Sequence, residues 1–472
     1  MIPRYPANSQ SNSLAGANAV PSPLPGIDVA RVTLVLAGTL VVVVAGYLGG
    51  MQYVIVALAL ALAVWVMREP REAVPAGWLF MLAAMILLPS EARLRFIDDR
   101  YDEVWQMYFW AAGSLVIVLA SVYRIGMSAL WRVPWSMKAF VCVAVISSIY
   151  GFSIKAQPSY VVRQLYGALL FFLYFAIAQA VGDEEILFQR LKTIGLILAF
   201  ALLVYYASVF SQFGFHKEDT SVTTQFGFLA TFLFVKGYIE KRVNWFFSSA
   251  VILGASLLFF MRHVFLTFLF ALALAIAVQS VSRVRKILCF GVAAMILLPS
   301  IFPPGAQFVV DTVEHNFPAL FDVLPAGTAD ATSLMSRNVE LVAGVAVLLQ
   351  SPVLGAGMGS ELSWDDPGRG FVEQAFVDNG WAYLMVKMGL VGILVFIWVL
   401  FTILRCVSRA SLAVSICLIA ILAVAMFSEP ICFQFTTSPI AGALAGLLYA
   451  RKYPRVNSSH SVLATQPAPE AA

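Results

Sequence analysis

The sequence predicts an all-α polytopic membrane protein, and three observations carry that reading. Of its 472 residues, 61% are hydrophobic and only 12% are charged, roughly half the charged share of an ordinary soluble chain. The mean hydropathy is strongly positive, at +0.86. The apolar residues fall in runs of about 16–22 between short charged clusters. That is the length a helix needs to cross a hydrocarbon layer with its backbone amides satisfied internally.

About 14 transmembrane helices are expected. They cover residues 30–48, 50–67, 76–90, 104–122, 138–153, 162–181, 192–211, 224–239, 244–261, 263–281, 286–302, 381–404, 410–428 and 436–450. The chain divides accordingly into a flexible tail (1–28), helices 1–11 (29–302), a large loop (303–380), helices 12–14 (381–450) and a second flexible tail (451–472). The first tail is rich in Pro, Ser, Asn and Ala and has no apolar core of a signal peptide. Placing both termini in the cytoplasm puts about 20 of the 30 lysines and arginines on the inner connectors, as the positive-inside rule requires. The large loop then faces outward, into a periplasm. The net charge of +4 reflects this topology and gives no reason to expect nucleic acid as a partner.

Cys142, Cys289, Cys406, Cys417 and Cys432 lie in or beside spans without a CxxC spacing, and the four histidines are not paired at ligand spacing. Packing cysteines follow, and neither a metal nor a cofactor is expected. The octapeptide Ala-Ala-Met-Ile-Leu-Leu-Pro-Ser occurs at 83–90 and again at 293–300. In both copies proline is expected to stop a span at the outer face. Residues 91–103 are dense in charge and read as a solvated rim.

The 303–380 loop is the feature a helical bundle does not need for its own stability. Within it, 330–350 reads as an amphipathic helix, with Thr332 or Ser333 as cap and Met335, Val339, Val342, Val345, Ala346 and Leu349 at helical spacing. Such a helix is expected to lie on the outer leaflet or the bundle mouth. Ser351-Pro352 ends it, and Gly355 and Gly357 turn the chain. Gly355-x-Gly357-x-Gly359 is not a nucleotide loop, because it follows a helix and lacks a Walker lysine.

Candidate chemistry gathers near the outward connectors. Arg262 stands between two apolar runs with almost no loop, as a snorkelling side chain or the mark of a substrate path. Arg163 opens an outer helix start and Arg337 lies early in the loop helix. Three guanidiniums at one face would suit a phosphate clamp. Asp378-Asn379 precedes a span and reads equally as an N-cap or as a carboxylate base. Lys387, two turns inside that span, needs a partner or a water-filled cavity. Trp364, Phe371, Phe376 and Trp381 are candidates for stacking on sugar rings.

The order of these residues resembles a known family. Met261-Arg262-His263 is followed by Ser336-Arg337-Asn338 and by Ser351-Pro352-Val353-Leu354-Gly355-Ala356-Gly357. Val377-Asp378-Asn379-Gly380-Trp381 and Lys387-Met388-Gly389-Leu390-Val391-Gly392 come next. This pattern, over about residues 255–400, resembles the bacterial O-antigen ligase and polymerase family. The resemblance implies a metal-independent glycosyltransferase of the inner membrane. Its donor would be an undecaprenyl-diphosphate-linked oligosaccharide and its acceptor a second lipid-linked repeat. Membrane lipid, a flippase and a chain-length regulator would be its partners. Arg262, Arg337 and Arg163 would hold the diphosphate, with Asp378 or Glu373 as base and His263, Asn379, Trp381 and Lys387 around the substrate. Ligases carry histidine where this chain has Asp378, which favours a polymerase over a ligase. A lipid-linked oligosaccharide flippase is the competing non-enzyme. An ion-coupled transporter would need broken helices and paired acids at the midplane, and the sequence displays neither.

Overall fold

The computed structural model describes residues 51–87, 103–213, 220–257, 262–301, 328–366, 370–375, 377, 379–407, 411–424, 426, 430–434 and 437–453. The expected first span, the charged rim at 91–103 and both tails lie wholly or almost wholly outside them. The described chain is predominantly helical. In order it forms α1 (Met51–Arg68), α2 (Ala73–Leu87), α3 (Glu103–Ile125), α4 (Ser128–Trp131), α5 (Trp135–Ser153), α6 (Pro158–Val181), α7 (Glu184–Phe213), α8 (Thr220–Glu240), α9 (Val243–Leu257), α10 (Arg262–Gln279) and α11 (Arg283–Ile301). Then follow α12 (Thr328–Gln350), a hairpin of β1 (Leu362–Asp366) and β2 (Gly370–Gln374), α13 (Gly380–Leu404), α14 (Leu412–Val424) and α15 (Ser438–Lys452).

This is a helical membrane protein. Among the described residues α5, α6 and α13 are long and apolar enough to cross a bilayer, and shorter apolar helices surround them. The outward faces are as greasy as the core. Leu390, Leu394, Ile397, Phe401 and Leu404 form an exposed stripe along α13, which water would not tolerate and lipid does. In the first copy of the octapeptide Leu88, Pro89 and Ser90 lie outside the described residues, and α2 is described as far as Leu87. In the second copy proline does not stop the helix, and α11 runs through Pro299 to Ile301.

The centre of the bundle is the α6–α15 pair, brought together by small residues. A Cβ at Gly442 would strike the Phe171 carbonyl, and one at Gly446 the Phe175 carbonyl. A Gly-x-x-x-Gly stripe on one helix thus meets two carbonyls one turn apart on the other, the close approach that membrane helices use in place of a hydrophobic drive. Cys417 and Cys432 are fully buried within the bundle.

The end of the bundle at which α6 finishes is tied by charge. Lys236, its side chain 5% exposed, lies 3.1 Å from Glu184, 3.5 Å from Glu185 and 2.5 Å from Glu240. Arg451 reaches Glu184 at 3.2 Å and Arg190 reaches Glu72 at 2.7 Å. Three of the basic residues counted for orientation, Arg190, Lys236 and Arg451, therefore meet acids carried by other segments, and Lys236 also meets Glu240 one turn along its own helix.

The 303–380 region differs in detail from the expected loop. The predicted helix is present but begins at Thr328, so Thr332 and Ser333 lie inside it and neither caps it. Its apolar stripe points outward: Val342, Val345 and Leu349 are exposed, while Glu340 and Gly344 face the bundle. In lipid the apolar face is the outer one, the reverse of a helix lying on a water-covered protein. The chain is also not all-α, because Leu362–Asp366 pairs antiparallel with Gly370–Gln374. Alternation of Leu362 and Trp364 with Ser363 and Asp365, followed by Pro367-Gly368, is a hairpin signal that helical composition elsewhere obscured.

Candidate functional site

A further departure defines the site. Residues 351–360, expected outside the lipid, fold back into the bundle. α12 runs alongside the start of α13: the Asn379 amide donates to Glu340 Oε2 at 2.9 Å. Further in, Gly344 faces Ala382 closely enough that a Cβ would stand 3.0 Å from the Ala382 Cα. Past its last turn the chain reverses. Met358 N donates to Ser147 O at 3.2 Å, and Gly359 N donates to Gln164 Oε1 at 2.7 Å. Ser147 is six residues from the end of α5 and Gln164 six residues from the start of α6, so the loop sits about 9 Å inside those helix ends.

A broken helix receives it. Gly389 has φ 60° and ψ −157° and splits α13 in two. Trp381 and Phe396 then meet edge to face with ring centroids 5.9 Å apart, where an unbroken helix would separate their Cα atoms by about 22 Å. A break costs the i→i−4 bonds across it, and buried backbone groups must find other partners. They do. Leu390 N, which would have bonded Val386 O, donates to Pro352 O at 2.8 Å, and Val391 N donates to Val353 O at 3.3 Å. The freed Val386 carbonyl accepts from Ala356 N at 2.6 Å, and the Lys387 carbonyl accepts from the Ser147 hydroxyl. Loop and break therefore complete each other's hydrogen bonding.

Two side chains hold the loop. Lys387 is completely buried; its ammonium donates to the Ser360 carbonyl and, at 3.4 Å, to Ser360 Oγ. It stands 5.9 Å from the Tyr383 ring centroid and within electrostatic reach of Glu361. Gln164, also completely buried, takes Gly359 N with its carbonyl oxygen and gives its amide to Ala375 O at 3.0 Å. It thereby pins both ends of the hairpin segment to α6. The expected partner of Lys387 is thus a backbone carbonyl, and the ammonium is not open to solvent.

The other predicted residues are placed as follows. Asn379 caps α13, accepting from Trp381 N at 3.0 Å and Ala382 N at 3.1 Å, so the capping expected of the Asp378-Asn379 pair is carried by the asparagine. Asn379→Ala is expected to cost about 1–2 kcal/mol, read as a lower melting temperature in detergent with unchanged spectra. Arg163 is half-buried at the start of α6 and close enough to influence Tyr383 electrostatically. Trp381 is half-buried against Phe396, and Trp364 is buried, its face turned inward; Phe371 is 70% exposed. Glu373 lies on the exposed face of β2, 3.4 Å from the Ser363 hydroxyl. Arg262 is the first residue of α10, which packs on α8, α11 and α14, whereas Arg337 belongs to α12, which packs on α13 and β1. The side chains of Arg262, His263 and Arg337, and Asp378 and Phe376 altogether, lie outside the described residues.

No family model, no curated protein and no solved structure matches the chain. Gln164 and Gly389 escaped sequence reasoning as site-builders. Their only signals were an amide on the buried face of an apolar helix and a glycine in mid-span.

Proposed function

We propose that this chain is a polymerase of surface-polysaccharide repeats in the bacterial inner membrane. It would transfer a glycan from an undecaprenyl-diphosphate-linked donor to the sugar hydroxyl of a lipid-linked acceptor at the periplasmic face, without a metal. The arrangement assigned to it has about 14 spans, both termini in the cytoplasm and the 303–380 region outward. One observation carries the reading: a glycine-turned loop seated inside the bundle on a broken helix, beside buried Lys387 and with Arg163 nearby. Irregular backbone at membrane depth is kept only where it is buried in protein or lines a water-filled cavity, and in this reading the loop walls a cavity that a lipid-linked substrate enters sideways from the bilayer.

In this reading Arg262, Arg337 and Arg163 stabilise charge growing on the departing diphosphate, and Asp378 or Glu373 orients or deprotonates the acceptor hydroxyl. Arg262→Ala and Arg337→Ala are each expected to reduce polymer at least ~100-fold at normal protein level, as loss of a charge-stabilising donor does. Full-length polymer from either strain would overturn the proposal.

A second reading is favoured by the helix break itself. A broken helix, which the sequence did not display, is present in α13, and transporters build sites from such breaks. A flippase for lipid-linked oligosaccharide is therefore the alternative. Purified protein and lipid-linked repeat in detergent separate the two: elongation there demands an enzyme, and activity confined to sealed vesicles demands a translocator.

A further inference from the structure

The β1–β2 hairpin has two unlike faces. Leu362 and Trp364 are buried, and β1 packs on α12. The opposite face presents Ser363, Asp365, Phe371 and Glu373, all exposed. Phe371 lies directly across from Asp365, and Ser363 directly across from Glu373. One aromatic ring, 70% exposed, is therefore flanked by a carboxylate in the paired position and by the next hydroxyl–carboxylate pair on the same face, two positions along the ladder. This face begins three residues after Ser360, the residue that holds Lys387.

We propose that this outward face is the docking platform for the acceptor's sugar chain, and that it selects neutral or amine-bearing sugars over acidic ones. The inference rests on the transferase reading above. An aromatic ring has a negative face, which suits the electron-poor C–H edge of a pyranose. Carboxylates accept strong charge-assisted hydrogen bonds from vicinal hydroxyls and from ammonium groups. The same two carboxylates repel a uronate or a phosphate: two like-charge contacts at ~4 Å in water amount to about tenfold or more in affinity. They equally disfavour insertion of Phe371 among anionic headgroups, so charge complementarity selects a glycan over the lipid surface as occupant.

The test is photocrosslinking in cells that make the surface polymer, using the full chain. Phe371 is replaced by p-benzoylphenylalanine, and Val342, exposed on α12, carries the same probe as a lipid-facing control. After irradiation the adducts are identified by mass spectrometry. Hexose or amino-sugar adducts at 371, falling about tenfold when Asp365→Asn and Glu373→Gln are added, are the expected result. Phospholipid, protein or uronic-acid adducts at 371 would overturn the proposal. So would no adduct at 371 while position 342 still labels lipid. The readout needs no transfer reaction. Glycan adducts without elongation in the detergent assay would retain the platform and discard the transferase, and elongation without glycan adducts would do the opposite.

Discussion

Gly389→Ala is expected to yield no stable, monodisperse protein. The backbone there has φ 60° and ψ −157°, a region open in practice to glycine alone, and an L-residue pays about 1–3 kcal/mol to hold it. The new methyl would also collide with the Gly355 nitrogen and the Val353 carbonyl. Relief requires the loop to withdraw, which forfeits the bonds from Leu390 N to Pro352 O and from Ala356 N to Val386 O. Each buried group left alone costs about 1–3 kcal/mol. Strain and loss together reach ~5 kcal/mol or more, the scale of a whole domain's stability. Fluorescence-detected size exclusion with a thermal ramp measures this directly. Gly254→Ala is the matched control, since a Cβ at that α9 position meets nothing within 4 Å; it is expected to melt no lower than the parent. Equal melting of the two variants would show that the break at Gly389 does not hold the loop.

Lys387→Met should separate the loop from the bundle's overall stability. Methionine matches the stem of lysine in length and remains at home among apolar neighbours, so the helices should still assemble. What disappears is the ammonium that donates to the Ser360 carbonyl and hydroxyl. A buried carbonyl deprived of a charged donor loses about 1.5–3 kcal/mol of local stabilisation, which corresponds to roughly 10- to 100-fold more frequent opening. Hydrogen exchange at the Gly355, Ala356 and Gly359 amides should accelerate by that factor while α6 and α15 stay protected. Repeat elongation should fall in parallel if the loop shapes the substrate path. Unchanged exchange would mean that Gln164 and the backbone bonds suffice, and Lys387 would then need another explanation.

The broad class was legible because it depends on composition and run length. Lipid demands about 20 apolar residues per crossing and leaves little freedom. Runs such as 162–181 and 381–404 therefore map onto α6 and α13. Proline and serine after Gln350 ended the loop helix as expected. Errors arose where the sequence underdetermines a partner. The apolar stripe of α12 was expected on the outer leaflet or the bundle mouth, and Val342, Val345 and Leu349 are exposed; apolarity alone does not distinguish lipid from core. Glu340 meets Asn379 across 39 positions of chain and Gln164 meets Gly359 across 195, and no local pattern announces such pairs.

Legible in the residues alone were an apolar helical chain built for a membrane and an unusual region between residues 303 and 380. These follow from periodicity and transfer energy, which are properties of short segments. Only the tertiary structure decided that residues 351–360 return into the bundle, that α13 is two half-helices, and that the Lys387 ammonium serves the Ser360 carbonyl. The reason is hydrogen-bond closure: a broken helix in a medium without water is permissible only when another segment supplies the missing donors and acceptors, and that supply is a fact of three-dimensional contact.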